Sequence, residues 1–353
     1  MTMTPTLDVR PMCSEDEPEV RDLLTVTMAG GPTGSRTSDF FRWKHVNGPF
    51  GPSPGLLAVH DGRVVGVRLF LRWQLAAGEQ TLSAVRAVDT ATHPDYQRQG
   101  IFRRLTMALL HQVESQDQVD LVFNTPNADS RPGYLRLGWS EVGLLPVHIS
   151  PVRPLAFLKG ARAASTANAA GSASAVAGVT PTPTPDRACP LPRATEAFHD
   201  AAGLGSLLDQ AAATHRLHTP LTLDYLRWRY ADVPGLDYRC VQVKQGGELV
   251  GVGFGRVRRR AGLSELTLGD VIVRAGDQHS ARRVLRAARR SGVDHVAVHA
   301  ALGSEIAGQT ARSGYLRAPG HGISLVANPR RATPVDVLDP ASWRLSLGDL
   351  EVF

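Results

Sequence analysis

The 353-residue sequence predicts an α/β fold (α+β in layout, with a mixed sheet), and it predicts that fold twice along the chain. Three observations carry this. An ordered set of segments recurs: Asp39-Phe40-Phe41-Arg42-Trp43-Lys44-His45 returns as Asp224-Tyr225-Leu226-Arg227-Trp228-Arg229-Tyr230, and Gly62-Arg63-Val64-Val65-Gly66-Val67 as Gly247-Glu248-Leu249-Val250-Gly251-Val252. Pro49 with Pro234, Ala87-Val88-Asp89 with Leu268-Gly269-Asp270, and Arg136-Leu137-Gly138-Trp139 with Arg312-Ser313-Gly314-Tyr315 keep the same order. Next, Val85–Leu110 passes from period-2 apolar spacing to helical spacing across a glycine-containing turn. Lastly, an Ala/Ser/Thr/Gly/Pro stretch, 160–186, separates the copies and offers almost nothing to bury.

In the first copy, 55–60 and 63–72 read as strands joined by an Asp61-Gly62 hairpin turn. Residues 82–92 form the next strand, and the helix after the turn carries Leu105, Met107, Leu109 and Leu110. Strands follow at 119–124 and 144–149. In the second copy, 206–218 is expected to be a helix with Ser206 as its N-cap. The tail 336–353 holds Trp343, Leu345, Leu347 and Leu350 and is expected to pack against a domain. The expected domains are 1–155, a linker at 156–186, a second copy at 187–330 and the tail 331–353.

Composition narrows the function. The formal charge of +6 and pI near 9.6 invite a nucleic-acid reading. Against it, only Lys44, Lys159 and Lys244 are lysines, the arginines spread along the whole chain, and no basic block interleaves with aromatics. A mildly basic surface still favours an anionic ligand. Cys13, Cys189 and Cys240 lie far apart, which argues against a disulfide framework or a structural zinc. The spacings His215/His218 and His295/His299 lack a nearby carboxylate, so no metal is expected. There is no basic leader with an apolar core and no long apolar run, so the expectation is a cytoplasmic protein without membrane contact.

The turn Gln97-Arg98-Gln99-Gly100-Ile101-Phe102 lies where a strand hands over to a helix. Unpaired amides and the positive end of the helix dipole suit a phosphate or pyrophosphate there. Gly100 allows close approach of an anion, and Arg98, Arg103 and Arg104 add positive charge. This segment resembles the acetyl-CoA motif of the GNAT N-acetyltransferases, Q/R-x-x-G-x-G/A, with Gln97 and Gly100 matching and Phe102 departing from the small last residue. Thr92-His93-Pro94-Asp95-Tyr96 precedes it as that family's strand exit does, and Tyr134-Leu135-Arg136-Leu137-Gly138-Trp139 is similar to the family's Y-x-x-x-G-[F/W] ending. Leu7-Asp8-Val9-Arg10-Pro11 looks like the family's first strand, followed by an acidic turn and a helix, so the resemblance spans about residues 7–150. It implies two GNAT-like acyl-CoA N-acyltransferase folds in tandem, the second degenerate because Ala275-Gly276-Asp277-Gln278-His279-Ser280 replaces the Q-x-x-G turn.

The resemblance further implies acetyl-CoA as co-substrate, held by Ala91, Thr92, Gln97, Arg98, Gln99, Gly100, Ile101, Phe102 and Arg103. Asn124, Asn127 and Ser130 are added as candidates for the pantetheine arm; Asn is equally a preferred helix N-cap. Acyl transfer needs a positioned thioester, a neutral amine and a proton for the departing thiolate. Tyr134, four residues before Gly138, is the candidate general acid. Asp89, inside an apolar strand, and His93 are candidate bases, although the duplication of Asp89 as Asp270 suits a structural hydrogen bond. Arg42-Trp43 and Arg227-Trp228 read as fold maintenance. The function implied is transfer of an acetyl or other acyl group to a primary amine of a small molecule or side chain, by direct attack in a ternary complex. The alternatives are an aminoacyl-tRNA-dependent peptidyl transferase with paired folds of this kind, and a non-catalytic acyl-CoA sensor.

Overall fold

A computed structural model describes residues 7–27, 37–116, 119–160, 189–211, 214–260 and 262–350; most of the expected linker and the last three residues lie outside them. The chain divides into two compact units. The first runs to Gly143 and then takes up Ser324–Leu338; the second holds Leu144–Ile323 and 339–350. Each is a mixed α/β assembly.

The first unit contains β1 (Asp8–Pro11), α1 (Glu17–Thr27), α2 (Ser38–His45), β2 (Gly55–His60), β3 (Arg63–Ala77) and β4 (Gln80–Thr92). After these come α3 (Ile101–Ser115), β5 (Leu121–Asn124) and α4 (Arg131–Arg136). Its strand order is β1-β2-β3-β4-β5, closed by Val326–Pro329 pairing antiparallel with Leu121–Asn124. All neighbours are antiparallel except β4 and β5. The turn expected between β2 and β3 is present, with Asp61 and Gly62 both at positive φ (50° and 77°), as a tight hairpin requires. Leu105, Leu109, Leu110 and Val113 of α3 pack on Phe70, Val85 and Val122 of the sheet. A Cβ at Gly66 would lie 2.6 Å from Ile101, so this glycine lets α3 close on β3.

The second unit contains β7 (Tyr238–Gln245), β8 (Glu248–Arg260), β9 (Leu263–Val273), the helix Gln278–Ala288 and β10 (His295–His299). Its strand order is β7-β8-β9-β10, closed by the part of β6 (Ser140–Pro151) from 147 to 151. Only β9 and β10 are parallel. A Cβ at Gly251 would lie 3.0 Å from Val284 of the helix, a close approach like that of α3 at Gly66. Trp343, Leu345, Leu347 and Leu350 are buried.

One expected helix is displaced. Ser206 does not cap a helix to His218; the helix is Ala201–Asp209, and Asp200 caps it by accepting from the Gly203 amide at 3.0 Å. Asp200 lies six residues earlier and its carboxylate satisfies an end amide, while Leu204 and Leu207 bury the helix's apolar side. β6 also begins earlier than expected, at Ser140.

Candidate active site

The turn expected to hold an anion is built by two left-handed residues. Arg98 has φ 63° and Gly100 has φ 76°, and Gly100 is the N-cap of α3. A glycine brings no capping side chain, so the amides of the first turn of this 15-residue helix are left for another acceptor. A Cβ at Gly100 would meet nothing within 4 Å, so the turn opens to solvent. It forms one wall of a groove of about 500 Å³ lined by Ala91, Thr92, Gln97, Arg98, Gly100, Ile101, Phe102 and Arg103. Thr27 from α1, Thr90 and Tyr96 line it too. Those three were missed from sequence. Tyr96 adjoins Gln97 and was findable, whereas Thr27 comes from a helix with no sequence link to the motif. Gln99 does not line the groove; its side-chain amide donates to the Asp95 carbonyl at 3.4 Å.

Beside the groove the sheet opens. β4 and β5 pair only from Ala84 with Leu121 to Arg86 with Phe123, although β4 continues to Thr92. Past the last pair, β5 ends on Asn124, which is buried with its Oδ1 lacking any hydrogen-bond partner. A buried amide oxygen is rarely left so, and here it suits an N–H donor such as an amide of a bound ligand. Asn127 and Ser130 are occupied locally, since Asn127 Oδ1 accepts from the Ser130 amide (2.8 Å) and hydroxyl (2.7 Å). These bonds close a turn ahead of α4, whose N-cap is Ser130.

The candidate catalytic residues do not share one place. Tyr134 of α4 is buried, and its hydroxyl accepts a hydrogen bond from Arg68 Nη1 at 3.0 Å. Its ring meets Phe102 and Trp139 edge-on at 5.8 and 5.2 Å. His93 lines a separate groove with Glu19, Asp22 and Arg63, where its Nδ1 accepts from the Asp95 amide. Asp89 sits at a bulge where the register slips between Arg68 and Leu69, with φ 37°. Its Oδ2 receives Lys44 Nζ at 2.7 Å and His45 Nε2 at 2.8 Å, all three residues buried. His45 Nδ1 bonds Ser53 in turn.

This is a holding arrangement for a strained backbone, a left-handed conformation costing of order 1–3 kcal/mol outside glycine. Asp89→Ala is expected to destabilise the protein by about 3–5 kcal/mol, because Lys44 loses a buried partner. A urea unfolding series checks this. An unchanged midpoint with a loss of turnover would instead favour Asp89 as a base.

The second-unit segments that the sequence sets against these are differently furnished. The helix Gln278–Ala288 is capped by Asp277, whose carboxylate accepts from the Ser280 amide at 2.9 Å. That helix start already carries an anion of its own. Asp270 is buried and accepts from the Tyr230 hydroxyl. Burial, reinforced by the Asp349 carboxylate, pushes its pKa up to about 6. His295 meets Glu265 at 2.9 Å and His299 meets the Pro146 carbonyl at 2.7 Å, each at its own partner. Among the described residues no group of three or more His, Cys, Asp or Glu side chains could hold a metal. None of the described helices is long and apolar enough to cross a membrane.

No curated protein matches the sequence. In structure, the chain is similar to a probable N-acyltransferase from Enterococcus faecalis, a conserved protein of unknown function, with TM-score 0.60 and 13% identity over 92% of this chain and 73% of that one. It is also similar to a GCN5-related N-acetyltransferase from Anabaena variabilis (TM-score 0.58, 11% identity, 92% and 73% covered). A GCN5-related N-acetyltransferase from Kribbella flavida aligns with TM-score 0.51 and 13% identity over 91% and 71%. At such identities the likeness is one of fold, and it extends well beyond the first unit. Residues 8–142 match the family model described as an acetyltransferase (GNAT) domain.

Proposed function

We propose that the protein is an N-acetyltransferase that moves an acetyl group from acetyl-CoA to a primary amine, with one acetyl-CoA per chain bound by the first unit. The observation that carries this is the uncapped start of α3 at Gly100, set in a groove beside the parting of β4 and β5. In this reading the amides of Ile101, Phe102 and Arg103 take the pyrophosphate, Arg98 and Arg103 add positive charge, and Asn124 Oδ1 takes an amide N–H of the pantetheine arm. The second unit is a degenerate copy of the same fold. Its helix start is closed to a phosphate by Asp277.

The transfer is direct. The amine nitrogen attacks the thioester carbonyl carbon, the C–S bond breaks with its electron pair on sulfur, and Tyr134 gives its hydroxyl proton to that sulfur. The nitrogen's surplus proton leaves to solvent, from which Tyr134 is reprotonated. The cysteines support a route without a covalent acyl-enzyme. Burial pushes the Cys240 thiol up to about 11 and raises Cys189, and Cys13 is raised by its bond to Asp16.

The test is release of free CoA against an amine panel of aminoglycosides, amino sugars, polyamines, amino acids and peptides. Tyr134→Phe is expected to lower kcat by roughly 100-fold or more with acetyl-CoA affinity little changed. An unchanged kcat would return Tyr134 to core packing. Binding of acetyl-CoA without turnover on any amine would make the protein a sensor.

A further inference from the structure

Arg68 on β3 is fully buried, with 0% of its surface exposed. Its guanidinium lies among three rings, 5.0 Å from Phe70, 5.4 Å from Phe102 and 5.3 Å from Tyr134. Among the described residues no carboxylate pairs with it, and its Nε and Nη2 have no hydrogen-bond partner. Among the described residues, the one hydrogen bond its side chain makes is from Nη1 to the Tyr134 hydroxyl. An arginine cannot shed its charge in a protein, and a buried cation without an anion is costly even when aromatic faces offset part of the loss. The arrangement lacks a negative charge, and the nearest group able to acquire one is the Tyr134 oxygen.

Resting on the acetyltransferase reading, we propose that Arg68 is a positioning residue for the general acid: it holds the Tyr134 oxygen as an acceptor, leaves the tyrosine's own proton for the departing thiolate, and faces the phenolate formed when that proton goes. The direction of the bond is fixed by chemistry, because a guanidinium only donates. When the O–H bond of Tyr134 breaks and the S–H bond forms, negative charge appears on the phenolic oxygen 3.0 Å from Nη1. Because both residues are buried, that pairing strengthens as the charge develops, so it favours the transition state over the ground state. The departure of Phe102 from the small residue of the acetyl-CoA motif then has a reason. Its ring forms a wall over Arg68 and packs edge-on against Tyr134.

The experiment measures acetyl-CoA-dependent release of free CoA by the full chain, with the best amine of the panel or with water as acceptor. The variants are Arg68→Gln, Arg68→Met, Arg68→Lys, Tyr134→Phe and the Arg68→Gln/Tyr134→Phe double variant. Arg68→Met refills the aromatic box without charge should Arg68→Gln fail to fold. Loss of the cation is expected to lower kcat by about 10- to 100-fold while KM for acetyl-CoA stays within about twofold. Arg68→Lys is expected to restore much of the loss, and the double variant to be no slower than Tyr134→Phe, since both remove one device. A kcat within about twofold of the parent for Arg68→Met, or losses that add in the double variant, would overturn the role given to Arg68. Full activity in Tyr134→Phe would instead overturn the acid assignment itself, so the two failures are distinct.

Discussion

Gly100→Asp is expected to abolish acetyl-CoA binding while leaving the fold intact. The left-handed N-cap of α3 is where the chain leaves helix amides without a partner. An aspartate there brings a carboxylate that can accept from those amides itself, as Asp277 does at the start of Gln278–Ala288. It also opposes a pyrophosphate of the same sign. Like charges set against each other cost several kcal/mol, and about 1.4 kcal/mol is tenfold in affinity, so the loss is expected to be about 100-fold or more. The backbone should tolerate the change. Aspartate is among the residues that visit left-handed geometry, and a Cβ at this position meets nothing within 4 Å. Calorimetry on parent and variant, with a urea midpoint for each, checks both halves of the expectation. Two equivalent sites per parent chain, or undisturbed binding in the variant, would remove the anion from this turn.

That turn was legible because its signals are local. A period change, a glycine and flanking arginines lie within a few residues, and the groove follows from them. The hairpin at Asp61-Gly62 was legible for the same reason. Arg68 was not, because nothing in Val67-Arg68-Leu69 distinguishes an arginine inside an aromatic box from one reaching solvent. Its meaning depends on Phe102 and Tyr134, which the fold brings to it from far along the chain. Asp89 stands out in the sequence as an acid within an apolar strand, but its partners Lys44 and His45 come from α2, far from it along the chain. The displaced helix of the second unit shows the limit of local capping rules, since Ser206 and Asp200 are both good caps and the burial of Leu204 decided between them. Least legible was the closing strand of each unit. Strand pairing between residues about 200 positions apart in the first unit and about 150 in the second leaves no mark in hydrophobic period.

A chain cut after residue 186 is therefore expected not to fold into a working first unit, although the sequence resemblance ends near residue 150. Val326–Pro329 pairs with Leu121–Asn124, and Val326 and Ala327 are fully buried there. Val326 packs into the same core as Leu109, Val122 and Tyr134. The Arg330 amide continues the join by donating to the Asp120 carbonyl at 2.8 Å. Removing this segment strips backbone partners from β5, a strand buried along its whole length, and opens the core beside Tyr134. The truncated chain should aggregate or melt without a cooperative transition, as read by size-exclusion chromatography and circular dichroism. Joining residues 1–143 to 322–338 through a Gly/Ser linker returns the missing strand and is expected to restore both a cooperative transition and acetyl-CoA binding. A soluble, monomeric chain of residues 1–186 that binds acetyl-CoA like the parent would show that the closing strand is dispensable. The first unit would then be sufficient for the cofactor without any residue beyond 186.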